Sequence, residues 1–325
     1  MSLDPALREF LDRLADMGRP SPFEQTPQQV RDTYSLIGGL GLRPQDPPST
    51  QDRRIPGPAG DIQVRLYRPD IATPLPVVVF FHGGGWSIGS IDTHEPLCEQ
   101  FAVQVPAVVV SVDYRLAPEH PYPAALEDCV AATAWASAHA PEFGGDPSRL
   151  AVAGDSAGGN LAAVVCLKAR DAGGPPIAFQ LLLYPATDLV TSYPSYVENG
   201  QGYFLTSEDL EWFARNYVPD DKYGEPDVSP LFAEQISELP PALIVTAGFD
   251  PLRDQGEAYA QRLREGGVRA ASLHYPGMTH AFLQLDQIVP AAHDAVQKTA
   301  ATLREALSPM ESVPAESISS LSQNI

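Results

Sequence analysis

Two short runs in this chain, Val77 to Phe81 (VVVFF) and Ala107 to Val112 (AVVVSV), are apolar at nearly every position and rich in β-branched residues. A strand with one wet face alternates apolar and polar side chains. A continuous run needs cover on both faces, which a sheet obtains when helices pack on either side of it. Ile62 to Arg68 (IQVRLYR) does alternate with period two, as a half-buried strand does. Further strand candidates are Leu150 to Ala153, Phe179 to Tyr184, Leu243 to Ala247 and Ala271 to Tyr275. Helical stretches fall near 94–104, 124–139, 158–171, 252–265 and 290–307. Strands separated by helices predict an α/β fold with a mostly parallel, doubly wound sheet. At 325 residues the chain can bury one large core with a smaller appendage.

Other segments break this rhythm. Residues 3–17 place Leu3, Leu7, Phe10, Leu11 and Leu14 at helical spacing, and Val30 to Ile37 suggests a second helix. The stretch 44–60 holds five prolines and reads as a linker. Residues 188–235 show no strand pattern but carry Tyr193, Tyr196, Tyr203, Phe204, Trp212, Phe213 and Tyr217. An aromatic-rich insertion between two core strands is a candidate lid; a surface excursion with its own small core is the plainer alternative. The Ser-rich tail 309–325 has little apolar pattern and is expected to be disordered.

The formal charge of −20 argues against nucleic acid or an anionic membrane as partner. Cys98, Cys129 and Cys166 are too few and scattered for a disulfide framework, and no C-x-x-C pair suggests zinc. The first twenty residues carry Asp4, Glu9, Asp12 and Asp16 without an apolar segment, unlike a signal peptide. No run of eighteen apolar residues is available to span a membrane. A cytoplasmic protein using neither metal nor organic cofactor is the expectation.

The sharpest local signal is Gly154-Asp155-Ser156-Ala157-Gly158, between the strand candidate LAVA and the helical stretch GGNLAAVVCLKA. A strand that enters a helix through one tight turn strains its middle residue, and a Cβ on either flank would clash with neighbouring elements. The Ser156 hydroxyl is then presented at the carboxyl edge of the sheet, over helix-start amides that favour developing negative charge. A second signal, His82-Gly83-Gly84-Gly85-Trp86, follows VVVFF. Consecutive glycines let backbone amides approach an anionic oxygen, so Gly83, Gly84 and Ala157 are candidate oxyanion donors. A phosphate loop would need a following Gly-Lys-Ser/Thr, which is missing. His82 itself reads as a brace for this loop.

Of the seven histidines, His280 sits just beyond the last strand candidate, after Pro276 and Gly277, which should stop that strand. His94, His120, His139 and His293 fall in helical or surface-like stretches. His280 therefore suits the base in the chain order Ser…Asp…His. Its acid is Asp250, which ends ALIVTAGFD, or Asp188, which ends LLLYPATD. Asp250-Pro251-Leu252 closes the strand tightly, favouring Asp250, with Asp254 packing or capping the next helix.

Taken together, HGGGW, DYRLAPEHPYPAALED, GDSAGGNLA, YPATD, AGFDPLRDQG and HYPGMTHAF resemble the bacterial hormone-sensitive-lipase-like esterases over about residues 55–307. The resemblance implies an eight-stranded α/β-hydrolase core, residues 46–187 and 236–308, with a helical cap from 1–45 and 188–235. It implies a Ser156, Asp250 and His280 triad with Gly83, Gly84 and Ala157 as oxyanion donors. Asp155 marks the branch with Asp before the nucleophile. Implied too are small-molecule esters of short acyl chains as substrates, and a homodimer. Plant hormone receptors share the fold but lack the histidine, so His280 disfavours a receptor. Trp86, Asp155, Tyr203, Phe204, Trp212 and Phe213 are candidate pocket residues. An amidase, lactonase or deacetylase could use the same triad.

Overall fold

The computed structural model describes residues 2–18, 20–71 and 74–309. Its strands are β1 (Ser49–Gly57), β2 (Gly60–Arg68), β3 (Leu75–Phe81), β4 (Val108–Asp113), β5 (Gly145–Asp155), β6 (Phe179–Leu183), β7 (Ala242–Phe249) and β8 (Ala270–Thr279). The helices are α1 (Pro5–Asp16), α2 (Pro27–Ile37), α3 (Glu95–Gln104), α4 (Ala124–His139), α5 (Ala157–Ala172), α6 (Pro194–Glu198), α7 (Ser207–Tyr217), α8 (Arg253–Glu265) and α9 (Pro290–Ala306). Apart from Pro309, the tail expected to be disordered lies outside the described residues.

All eight strands join one sheet in the order β1-β2-β4-β3-β5-β6-β7-β8. The β1–β2 and β2–β4 pairs are antiparallel, and every later pair is parallel. Period-two alternation along β3 divides the interior into two cores. Val77, Val79 and Phe81 face the layer of α4, α5 and α8, whereas Val78 and Phe80 face that of α3 and α9. All five are fully buried. Each such side chain contributes about 1.5–3 kcal/mol of burial, which is why the run tolerates no polar residue.

Two expectations fail at prolines. The supposed linker 44–60 contains β1, closed on β2 by a two-residue turn with Gly57 opposite Gly60. As β1 is an edge strand, Pro56 can sit in it without breaking a ladder on both sides. At the other end, Pro276 and Gly277 do not stop β8. They fall where the register shifts, between the Ala247–Tyr275 and Phe249–Thr279 pairs. The strand bulges there and runs on to Thr279, which delivers His280.

Residues 188–235 hold α6, α7 and single 3-10 turns, with no strand among the described residues. Thr206 caps α7 through a reciprocal bond with Asp209, and Thr26 caps α2 likewise with Gln29. The insertion meets the N-terminal segment directly. Ser21 Oγ donates to Glu208 at 2.6 Å, Phe10 stacks on Phe204 and Arg215 lies over the Phe23 ring.

Candidate active site

The turn from β5 into α5 holds Ser156 at φ 55°, ψ −117°, a backbone region costly for a residue with a side chain. Glycines make it passable. A Cβ on Gly154 would come within 2.3 Å of the Gly158 carbonyl oxygen, and one on Gly158 within 1.9 Å of the Phe81 oxygen. The Ser156 amide is fixed to the Leu183 oxygen at 2.8 Å, so the strain is held between two neighbouring strands.

Ser156 Oγ lies 2.9 Å from His280 Nε2, and His280 Nδ1 lies 2.8 Å from Asp250 Oδ2. Asp250 is fully buried and its other oxygen accepts the Leu252 amide at 2.8 Å. A carboxylate can only accept, so Nδ1 carries the proton facing it, and Nε2 is left to accept from the serine hydroxyl. Asp188, the rival acid, accepts from the Val190 and Thr191 amides and the Tyr193 hydroxyl. That set ties off its own turn. Asp254 bonds the Ser195 amide and Arg253.

Two kinds of support, one polar and one aromatic, hold this arrangement without a signal in the sequence. Asn199 donates from the insertion to the Asp250 carbonyl at 3.2 Å, and Ser195 Oγ to the Pro251 carbonyl at 2.9 Å. Tyr184, itself at φ 35°, sets its ring edge-on to the His280 imidazole at 4.9 Å. Neither carries a pattern visible along the chain.

The expected donor set needs correction at Gly83. Its amide is already spent on Asp155 Oδ1 at 2.7 Å, with His94 Nε2 at 3.3 Å. The amides of Gly84, Gly85 and Ala157 have no protein acceptor among the described residues. Gly84 and Gly85 adopt φ 119° and 54°, and side chains there would run into the Ile88 carbonyl and the Phe213 ring. Asp155 borders the larger cavity beside Ser156, but its carboxylate is committed to internal partners. Its carboxylate is buried against the Gly83 amide, Gln284 Nε2 at 3.0 Å and His94. Burial pushes this carboxyl up, but His94 and the Gly83 amide outweigh it and hold it below the usual range. His94, expected in a helical or surface stretch, is fully buried. His82 does brace the loop, through Nδ1 to the Gly83 carbonyl at 2.8 Å. Burial, aided by His94, lowers its pKa to about 3, so it is neutral.

Two cavities meet at Ser156. The larger, about 460 Å³, is lined by Leu11 and Leu14 of α1, Tyr34 of α2, Tyr203, Phe204, Phe213, Gly84, Gly85 and His280. The smaller, about 220 Å³, is lined by Trp86, Ala157, Leu189, Leu210 and Leu252. Gly85, Leu205 and Phe213 border both. Trp212 lines neither; it sits edge-on behind Phe213 at 5.4 Å, in the insertion's own packing.

A sheet of this order, with a serine–histidine–aspartate chain above its carboxyl edge, defines an α/β hydrolase. The family model described as the alpha/beta hydrolase fold matches residues 78–284, and the chain belongs to this family. Carboxylic ester hydrolase LipN of Mycobacterium tuberculosis is 49% identical, over 82% of this chain and 72% of its own. Esterase LipI of the same organism is 42% identical over 94% and 96%. The hyperthermophilic esterase from the archaeon Pyrobaculum calidifontis superposes with a TM-score of 0.90. It is 41% identical and covers 95% of this chain and all of that one.

Proposed function

We propose that the chain is a carboxylesterase acting on short- to medium-chain esters through an acyl-enzyme on Ser156. The carrying observation is the hydrogen-bonded run Ser156–His280–Asp250 opening onto an apolar cavity beside uncommitted amides. Relatives named as esterases at 40% identity or more support the same reading. Ser156 Oγ attacks the ester carbonyl while His280 Nε2 takes its proton. The oxyanion rests on the amides of Gly84, Gly85 and Ala157. The imidazolium, stabilised by Asp250, protonates the departing alcohol, and water repeats the sequence to free the acid.

Proton delivery also assigns the two cavities. The leaving oxygen must lie beside His280, which lines the larger cavity and not the smaller. The alcohol half therefore occupies the 460 Å³ space and the acyl half the 220 Å³ space under Trp86. Residues 1–45 and 188–235 act as the cap, a role supported by their mutual contacts and their shared wall of the larger cavity. Three buried free thiols support a cytoplasmic location.

The test is hydrolysis of p-nitrophenyl esters of increasing acyl length, and of acetates of increasing alcohol length, beside Ser156→Ala. The reading expects rates to fall early along the acyl series and late along the alcohol series. The variant should lose on the order of 10⁴ to 10⁶ in turnover. Wild-type rates in Ser156→Ala would end the assignment.

A further inference from the structure

We infer that α2 aligns the oxyanion donors from outside the triad, with Tyr34 as a positioning residue. The inference rests on the esterase reading above. Asp155 couples two parts of the chemistry: its backbone adjoins Ser156, and its Oδ1 fixes the Gly83 amide at 2.7 Å, one residue before the first donor. The separation of nucleophile and donors is thus set through one carboxylate. The other oxygen of Asp155 accepts a hydrogen bond from Gln284 Nε2 at 3.0 Å, and that amide nitrogen also meets His94 Nε2 at 2.9 Å. Thr93 Oγ gives its only proton to the Ser90 carbonyl, so it accepts from His94 Nδ1 at 2.8 Å. With a Gln284 amide proton directed at the Asp155 carboxylate, the amide oxygen is the acceptor that still needs a donor. Tyr34 supplies it, donating to Gln284 Oε1 at 3.2 Å.

Tyr34 is more than a distant prop, because its ring also lines the 460 Å³ cavity beside Gly84 and Gly85. A bound alcohol group touches the same side chain that orients Gln284. The other end of the loop is held from the same helix face, one turn back. Arg31 Nε donates to the Ser87 carbonyl at 2.8 Å and Nη2 to the Ala117 carbonyl at 2.9 Å, with Glu119 paired to both Nη groups. The Ser87 amide in turn bonds the Gly84 carbonyl at 3.0 Å. So α2 reaches the loop 83–87 at its start through Tyr34, Gln284 and Asp155, and at its end through Arg31.

The test uses Tyr34→Phe, which keeps the ring in the cavity wall and removes only the hydroxyl. Removing an oxyanion donor outright costs about 10² to 10³ in kcat, and misalignment should cost less. We expect kcat on p-nitrophenyl butyrate to fall roughly five- to thirtyfold with KM within about twofold. Dissociation of a trifluoromethyl ketone, which forms a tetrahedral adduct, should weaken by a similar factor in a fluorine-resonance titration. Gln284→Leu should absorb the effect, so that adding Tyr34→Phe to it changes little. Unchanged kcat and ketone affinity would overturn the inference, as would a rise in KM alone, which marks a simple substrate contact. If Tyr34→Phe fails to fold, Arg31→Gln reads the far end of the loop by the same split. Ketone binding is measured without turnover, so a wild-type chain that cleaves no ester would sink the esterase reading while leaving this test decisive.

Discussion

Adjacent residues on one turn, Asp155 and Ser156, each lead to a buried histidine, and the two ends are built oppositely. Ser156 faces a cavity, and its imidazole partner spends one nitrogen on Asp250 and offers the other to the hydroxyl. Asp155 faces inward, where Gly83, Gln284 and His94 surround its carboxylate. One chain ends in a group that can still react; the other ends in groups already saturated. A histidine–carboxylate pair alone therefore does not mark catalysis. What separates chemistry from scaffolding here is the open valence facing the substrate space.

Substitutions can break that contrast, and the largest effects should fall on the open side. His280→Ala should lower kcat on p-nitrophenyl butyrate by about 10⁴ or more. Asp250→Asn, which lets the imidazole take the wrong tautomer, should cost about 10³ to 10⁴. Steady-state assays on folded protein would check both, and a loss below tenfold in either contradicts the triad. On the sealed side, Asp155→Asn should cost stability, roughly 1–3 kcal/mol at neutral pH, through unsatisfied buried partners, besides the loss of kcat that misaligned oxyanion donors bring. The sign follows from the depressed carboxyl pKa in the fold. The wild-type advantage should be full above the ordinary aspartate range near pH 4 and shrink as pH drops through the lowered value. Thermal unfolding of both chains across pH would show it, and a deficit independent of pH would refute it.

Smaller effects sharpen the boundary between the two cavities. Phe213 borders both, so Phe213→Ala should extend the tolerated acyl chain at modest cost to butyrate turnover, read from the acyl-length profile. A profile that does not move would mean that Phe213 is no divider. Least affected should be Asp188→Asn, whose carboxylate never meets His280. Its kcat should stay within about threefold, whereas a drop like that of Asp250→Asn would exchange the two acids.

The open side was legible in the chain and the sealed side was not. Ser156, His280 and Asp250 each follow a strand end and have glycine or proline within a few residues, a pattern readable along the chain. Gly83 misled because HGGG announces close backbone approach without saying which amide faces which oxygen. That depends on Asp155, 72 residues away in sequence. His94, Gln284 and Tyr34 lie on three elements whose meeting only the assembled sheet decides. Prolines misled twice, at β1 and β8, because an edge strand and a bulge can each absorb what a central strand cannot.

On this geometry Ser156 is proposed as the one reactive hydroxyl, activated by His280. Peptide mass spectrometry after brief exposure to a fluorophosphonate tests it most directly, on the wild type and on His280→Ala. The expected result is a single phosphonyl adduct on Ser156 in the wild type and labelling slowed by orders of magnitude in the variant. An unlabelled Ser156, or equal labelling in both chains, would contradict it.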